Sequence, residues 1–113
     1  LYVIYMEQLT ITQKEGANYK LYELKGALNA YTLDAFQGKL YETVKKRNVV
    51  LDMSNLVELD SSGMGLLMAA FNDSVDAGNK LYFLSMSNES SRTLAETGFK
   101  NEFYLINSVT EAL

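Results

Sequence analysis

The 113-residue chain contains no cysteine, no histidine and no proline. Without the first two it has no disulfides, no thiolate nucleophile and no Ser-His dyad, and it lacks the usual ligands of zinc. These absences exclude most of the chemistries used by small enzymes, so we expect no catalytic residue, no metal site and no cofactor. Without proline, turn geometry depends on glycine, asparagine, aspartate and serine.

Basic residues are also scarce: the chain has ten of them and fourteen acids, which gives a formal net charge of −4. The longest basic run, Lys45-Lys46-Arg47, is too short to follow a phosphate backbone, and we expect no nucleic-acid binding. No apolar run approaches the roughly 20 residues that span a bilayer. The opening segment, residues 1–5, lacks the basic region and cleavage site of a signal peptide. We therefore expect a cytoplasmic protein without membrane contact.

Length and hydrophobic content (48%) fit a single globular domain over residues 1–113. We expect it to be a monomer or a weak dimer. Met6 is typical of a natural start, so residues 1–5 are interpreted as upstream or added sequence, with an additional edge strand as the alternative, and they carry no functional argument.

The first half of the chain shows strand, strand, helix and strand patterns. Alternating apolar residues around Leu9 and Leu21 predict two strands of a hairpin, with its turn at residues 15–18. Apolar residues at helical spacing predict a first helix that ends near the basic run; they are Leu33, Phe36, Leu40 and Val44. The unbroken run Val49-Val50-Leu51 predicts a central strand covered on both faces.

The second half continues this alternation. We predict a loop over residues 54–60, a helix over about 62–77 closed by Gly78, a strand at 81–84 and a helix at 88–97 closed by Gly98. A short strand at 103–106 and a helical turn from Ser108 follow. The order ββαβαβαβα indicates an α/β fold, with a mixed central sheet of four to five strands and about four helices packed on it.

The most informative segment, residues 59–66, reads Leu-Asp-Ser-Ser-Gly-Met-Gly-Leu where a loop becomes a helix. Free backbone N–H groups and the positive end of the helix dipole meet at such a start. A phosphate on Ser62 would lie beside those donors and add about −1.5 to −2 charge at neutral pH.

Spacing of about 100° per residue predicts that the core stripe of this helix consists of Met64, Leu67, Met68, Phe71 and Val75. Leu66 then faces solvent one turn beyond Ser62, between the small residues Gly65 and Ala69. The pattern therefore predicts Leu66 as an apolar anchor for a docking partner, on the same surface as the hydroxyl.

Plainer interpretations of this segment stay open. Asp-Ser-Ser before a helix is also ordinary N-capping, and single exposed leucines are common. A nucleotide-binding loop is disfavoured, because Gly63-Met64-Gly65 has no following Lys-Ser/Thr pair and no dinucleotide-type glycine spacing. The nearby acids Asp52, Glu58 and Asp60 raise the question of a metal site, but loops before helices often carry acids.

The segment resembles the phosphorylation motif of STAS domains, and specifically of the bacterial anti-sigma factor antagonists. Three further stretches resemble that family in order and spacing: residues 26–29 its first strand-to-helix turn, residues 49–53 its central strand, and residues 91–99 its third helix and closing turn. Two positions depart from the family pattern. Asn29 stands where Asp is more frequent and Met64 where Leu, Ile or Val is usual, and we expect both to affect partner preference only.

The resemblance implies a partner-switching protein. The unphosphorylated domain would bind a serine-kinase anti-sigma factor and release its sigma factor; the kinase, with its own ATP and magnesium, would phosphorylate the domain, and a serine phosphatase would reverse the mark. By position the acceptor is Ser62, with Ser61 as the fallback, Asp60 and Gly63 supporting the turn, and partner contacts at Leu66, Gly65, Ala69 and Asn29.

A second hypothesis keeps the STAS fold without reversible phosphorylation. The chain would then be a fixed scaffold or accessory module in a signalling or transport complex. A third, an enzyme or small-ligand sensor, needs a concave site with perturbed acids that the sequence does not indicate.

Overall fold

The computed structural model of the chain describes residues 8–98 and 103–112, and within them it has the predicted α/β class. The elements, in chain order, are β1 (Leu9–Glu15), β2 (Lys20–Leu28), α1 (Asp34–Lys46), β3 (Val49–Leu59), α2 (Ser61–Asp76), β4 (Leu81–Leu84), α3 (Asn88–Glu96), β5 (Tyr104–Ile106) and a 3₁₀ turn at Val109–Glu111. Five strands and three α-helices, with the final turn, confirm the predicted mixed sheet and its helical layer.

The strands lie in the order β1-β2-β3-β4-β5, so spatial order follows sequence order. β1 pairs with β2 as an antiparallel hairpin, whereas β2, β3, β4 and β5 run parallel to one another. The carboxyl ends of the four parallel strands therefore meet at one edge of the sheet. The segments that follow β2, β3 and β4 begin at that edge, including the start of α2.

The sheet is covered on both faces by unequal apolar clusters. Val49 and Leu51 belong to the large cluster between the sheet and the helices, which also contains Phe36 and Leu67. The intervening Val50 points to the other face. The small cluster on that face contains Val50, Tyr82, Leu84, Ile106 and Ala112, with Val109 of the 3₁₀ turn packed against it. This explains why the central strands are apolar without alternation.

The predicted loop at residues 54–60 is wrong, because β3 continues to Leu59 and only Asp60 separates it from α2. The register of β3 on β2 shifts between Glu23 and Lys25 and again between Gly26 and Ala27. Near the first shift, the Asp52 carboxylate accepts hydrogen bonds from the amide of Ser54 (3.0 Å) and from its hydroxyl (2.7 Å). Bulges of this kind let polar residues lie within a strand that a sequence pattern assigns to a loop.

The predicted core stripe of α2 is also wrong in part. The buried face of the helix is rotated by about a quarter of a turn from the predicted one. Val75, assigned to the core, is 53% exposed, whereas Leu66, assigned to the surface, is 3% exposed and belongs to the large cluster. The buried face of α2 includes Gly63, Ala70 and Ser74, which hydrophobicity does not select.

The small residues explain this rotation of α2. α2 packs against α1 as well as against the strands, and small side chains at the contact let backbones approach closely. Ser74 tolerates burial because its hydroxyl donates to the carbonyl oxygen of Phe71 at 2.6 Å. Leu66 is itself buried in the large cluster, so it cannot act as an exposed anchor.

None of the helices in the described ranges is long and apolar enough to cross a membrane.

Candidate functional site at the start of helix α2

Asp60 forms the N-cap of α2. Its backbone is extended (φ −93°, ψ −176°), its Oδ1 accepts a hydrogen bond from the amide of Gly63 at 2.8 Å, and its carbonyl oxygen accepts from the amide of Met64 at 2.9 Å. An aspartate in this position satisfies one of the free amides of the first turn and places negative charge at the positive end of the helix. The helix therefore begins at a defined residue directly after β3.

Asp60 also ties this start to the segment after β2. Its Oδ2 accepts a hydrogen bond from the amide of Ala30 at 3.3 Å, and its own amide donates to the carbonyl oxygen of Leu28, also at 3.3 Å. One carboxylate thus holds together two segments that are distant in sequence.

Gly63 is a glycine for a steric reason. A Cβ atom at this position would lie 2.3 Å from the carbonyl oxygen of Leu28 and 2.9 Å from Cδ1 of Leu59. Any larger side chain would push the first turn of α2 off the end of the sheet. Gly63 therefore fixes how closely the serines approach the carboxyl edge.

The two candidate acceptors lie on the first turn, where Ser61 is exposed and Ser62 is half-buried. Neither side-chain hydroxyl makes a hydrogen bond to any residue in the described part of the chain. Ser61 is exposed as a residue, and Ser62 is not among the described residues that hide an unpartnered oxygen from solvent, so both hydroxyls are reachable by solvent. The amides of the same two residues precede the first helical hydrogen bond, which runs from Met64 to Asp60, so the helix itself provides no acceptor for them.

Asn29 organises the segment after β2. Its side chain is 8% exposed and bonds at both ends: Nδ2 donates to Oε1 of Glu58 at 3.1 Å, and Oδ1 accepts from the amides of Tyr31 (2.9 Å) and Thr32 (3.1 Å). The amide group that was expected to contact a partner is thus engaged within the chain. Its role in this structure is to shape the loop that Asp60 holds.

Of the other predicted partner contacts, Gly65 is exposed, Ala69 is half-buried and Leu66 is buried. The assignment of Leu66 as an exposed anchor is wrong for the packing reason given above. Sequence reasoning missed Tyr31, which is 80% exposed and follows the residue bonded to Asp60. The sequence signal for its exposure was its position next to turn-forming residues and outside any strand pattern.

The acids near the site do not form a metal centre. Within residues 8–98 and 103–112, no group of three or more candidate ligand side chains is close enough to hold an ion. The carboxylates of Asp60 and Glu58 are instead used as hydrogen-bond acceptors for Gly63, Ala30 and Asn29.

Comparison with solved structures gives the same fold at low sequence identity. An anti-sigma factor antagonist from Mycobacterium paratuberculosis is 18% identical with a TM-score of 0.80, over 92% of this chain and 90% of that one. The unphosphorylated form of the anti-sigma factor antagonist SpoIIAA is 14% identical with a TM-score of 0.75, over 91% of each chain. The murine anion transporter Slc26a9 is 16% identical with a TM-score of 0.72, over 88% of this chain but only 18% of the transporter.

At these identities the structural likeness shows the fold alone, and that fold occurs both in small regulators and in a transporter. The sequence itself matches the STAS domain family over residues 8–112, which is nearly its whole length. The chain belongs to the STAS domain family.

Proposed function

We propose that the chain is an anti-sigma factor antagonist of the partner-switching type. Its unphosphorylated form binds a serine-kinase anti-sigma factor in the cytoplasm and thereby releases the sigma factor. Membership of the STAS family and the likeness to two antagonists support this assignment. The observation that carries it is the pair of solvent-reachable serine hydroxyls on the first turn of α2, at the carboxyl edge of the sheet.

Ser62 is the acceptor in this proposal. It holds the acceptor position of the family motif, and it lies in the first turn of α2, where the leading backbone amides lack helical partners. Ser61 is more exposed but holds the preceding position in the motif. A phosphate on Ser62 adds about −1.5 to −2 charge close to backbone donors, which accept an anion without rearrangement.

The phosphate acts on the partner and not on the fold. The added charge lies two residues from Asp60, the acidic N-cap of α2, so a docked protein meets a more acidic surface at the helix start. A loss of about 3 kcal/mol of binding free energy weakens binding roughly a hundredfold, since about 1.4 kcal/mol corresponds to tenfold. Repulsion and desolvation at one dianion are sufficient for a change of this size.

The docking surface in this proposal is built from exposed residues around Ser62 and excludes Leu66. Ser61 and Gly65 are exposed on α2, and Tyr31 is exposed on the loop that Asp60 holds. Aromatic residues of this kind are enriched at the energetic centres of interfaces.

The test is phosphorylation by the serine-kinase anti-sigma factor of the same genome, with Mg-ATP, followed by intact mass measurement. The wild type and Ser61→Ala are expected to gain one phosphate, whereas Ser62→Ala gains none. Equal uptake by Ser62→Ala would remove Ser62 as the acceptor, and loss of uptake only in Ser61→Ala would move the assignment to Ser61.

A second measurement separates the switch from a fixed scaffold. The phosphorylated chain is expected to lose kinase binding and to regain it after treatment with a serine phosphatase. A chain purified from its source without phosphoserine, in a large and stable complex, would instead support the scaffold or accessory role.

A further inference from the structure

An open groove of about 380 Å³ runs between α2 and α3 beside the candidate acceptors. We call it the α2–α3 groove; it is lined by Ser61, Met64, Gly65, Met68, Thr93, Glu96 and Thr97. The four residues from α2 are spaced i, i+3, i+4 and i+7, so they form a single stripe on that helix. The accessible lining is mainly apolar, and Ser61 lies within it.

Gly65 has no steric reason to be a glycine in the described part of the chain. It is exposed in the second turn of α2, and a Cβ atom built on it meets nothing within 4 Å. A glycine inside a helix is less favourable than an alanine, because it loses more backbone freedom on folding. Gly63, two residues earlier, has such a reason, because it contacts Leu28. The missing side chain at Gly65 leaves the wall of the groove open, where a partner can approach closely.

The chemistry of the lining indicates what the groove accepts. Met64 and Met68 provide thioether side chains, which adapt to irregular apolar shapes. Among the described residues of the lining, only Glu96 is charged, and its carboxylate makes no ion pair with any described residue. An occupant that complements this lining has one bulky apolar side chain beside a cationic one.

We propose that the α2–α3 groove receives a bulky apolar side chain, next to a lysine or arginine, from the serine-kinase anti-sigma factor. This inference rests on the proposed function and reverses the direction of the contact: the apolar anchor belongs to the partner, and this chain supplies the cavity. Gly65 lies one turn beyond both Ser61 and Ser62. A phosphate on Ser62 therefore lies beside the mouth of the groove and excludes the same occupant.

The test fills the groove by Gly65→Leu and measures binding to the kinase, loaded with a non-hydrolysable ATP analogue, by calorimetry. Gly38→Leu is the matched control, because Gly38 is also an exposed helical glycine whose Cβ would meet nothing within 4 Å. We expect Kd to rise by about tenfold or more for Gly65→Leu and to change by less than about twofold for Gly38→Leu. The melting temperature of both variants should equal or exceed that of the wild type, since leucine is the better helix former.

Charge reversal provides a second arm that does not depend on filling the groove. Glu96→Lys is expected to weaken binding about tenfold, whereas Asp76→Lys, with the same change in net charge roughly 16 Å along α2 from Gly65, is expected to leave binding unchanged. If the two charge reversals weaken binding equally, Glu96 acts only through long-range electrostatics, and its direct contact with the partner is ruled out.

The outcomes separate this inference from the proposed function. If the wild type and Gly38→Leu bind the kinase and Gly65→Leu binds equally well, the groove proposal is wrong and the antagonist function stands. If the wild type does not bind the kinase, the proposed function is wrong, and the groove proposal that rests on it is wrong as well. A small molecule retained in the groove, detected by native mass spectrometry and displaced in Gly65→Leu, would also overturn the assignment to a protein side chain.

Discussion

Gly63 and Leu28 meet so closely that a Cβ atom on the glycine would lie 2.3 Å from the leucine carbonyl oxygen. The first turn of α2 therefore rests directly on the end of β2. Because the amide of Asp60 donates to the same carbonyl oxygen, the position of the two serines is set by backbone packing and not by a flexible loop.

This contact predicts that Gly63→Ala destabilises the protein although alanine is the better helix former. The added methyl group clashes with backbone, which cannot move aside like a flexible side chain, and overpacking of this kind costs about 1–3 kcal/mol. Gly65→Ala is the control, because its methyl group enters open space; it is expected to raise stability by up to about 1 kcal/mol. Urea denaturation of both variants measures the difference, and equal stabilities would contradict the steric role of Gly63.

The burial of Leu66 predicts a core effect where the sequence pattern indicated a surface residue. Leu66→Ala is expected to lower the free energy of unfolding by about 2–5 kcal/mol, as for other buried leucines. Val75→Ala, at a position the pattern assigned to the core, should change it by less than about 0.5 kcal/mol because its side chain is half in solvent. Comparable losses of stability in the two variants would contradict this orientation of α2 and favour the one predicted from hydrophobicity alone.

The sequence predicted the order of elements and the parallel crossovers, because these depend on local patterns and on the short loops between them. Its assignment of residues 59–66 as the functional segment stays a prediction. The sequence did not predict the rotation of α2. Hydrophobic periodicity assigns Phe71 and Val75 to the core face. The buried face instead includes Gly63, Ala70 and Ser74, and the small size of these residues matters only when a neighbouring backbone packs against them. The length of β3 was missed for a related reason, since bulges depend on pairing with β2.

Asp60 is expected to contribute to stability through both of its carboxylate oxygens. Asp60→Ala removes the N-cap bond to Gly63 and the link to Ala30, for a loss of about 1–2 kcal/mol from the cap alone. Asp60→Asn keeps one acceptor oxygen for the cap but brings an amide donor to the second position, so its stability should lie between those of the wild type and the alanine variant. Thermal denaturation ranks the three; an asparagine variant as stable as the wild type would show that the Ala30 link contributes nothing.

At the opposite end of the sheet, Glu15 provides a dependence of stability on pH. Its hydrogen bond to Lys20, followed by that to Arg47, lowers the pKa of the Glu15 carboxyl below its ordinary value of 4.5. A lowered folded-state pKa contributes stability above the unfolded-state pKa, and this contribution is lost as the pH falls through the folded-state value. Glu15→Gln should therefore be slightly less stable than the wild type at pH 7, and the difference should shrink as the pH falls below 4.5, vanish below the lowered folded-state pKa, and shrink in high salt. A difference that grows on acidification would contradict the sign.

Phosphorylation at Ser62 is expected to leave the fold intact and to stabilise it slightly. A dianion at the second residue of a helix interacts favourably with the free amides and the helix dipole, by about 0.3–1 kcal/mol per charge at an exposed position. The melting temperature of the phosphorylated chain should therefore equal or exceed that of the unmodified chain, while kinase binding is lost. Amide NMR shifts should change on the first turn of α2 and on the loop that contains Ala30 and Tyr31, and remain constant in α1 and β1. Widespread shift changes or a lower melting temperature would mean that the phosphate acts by remodelling the domain, and the switch would then be conformational instead of electrostatic.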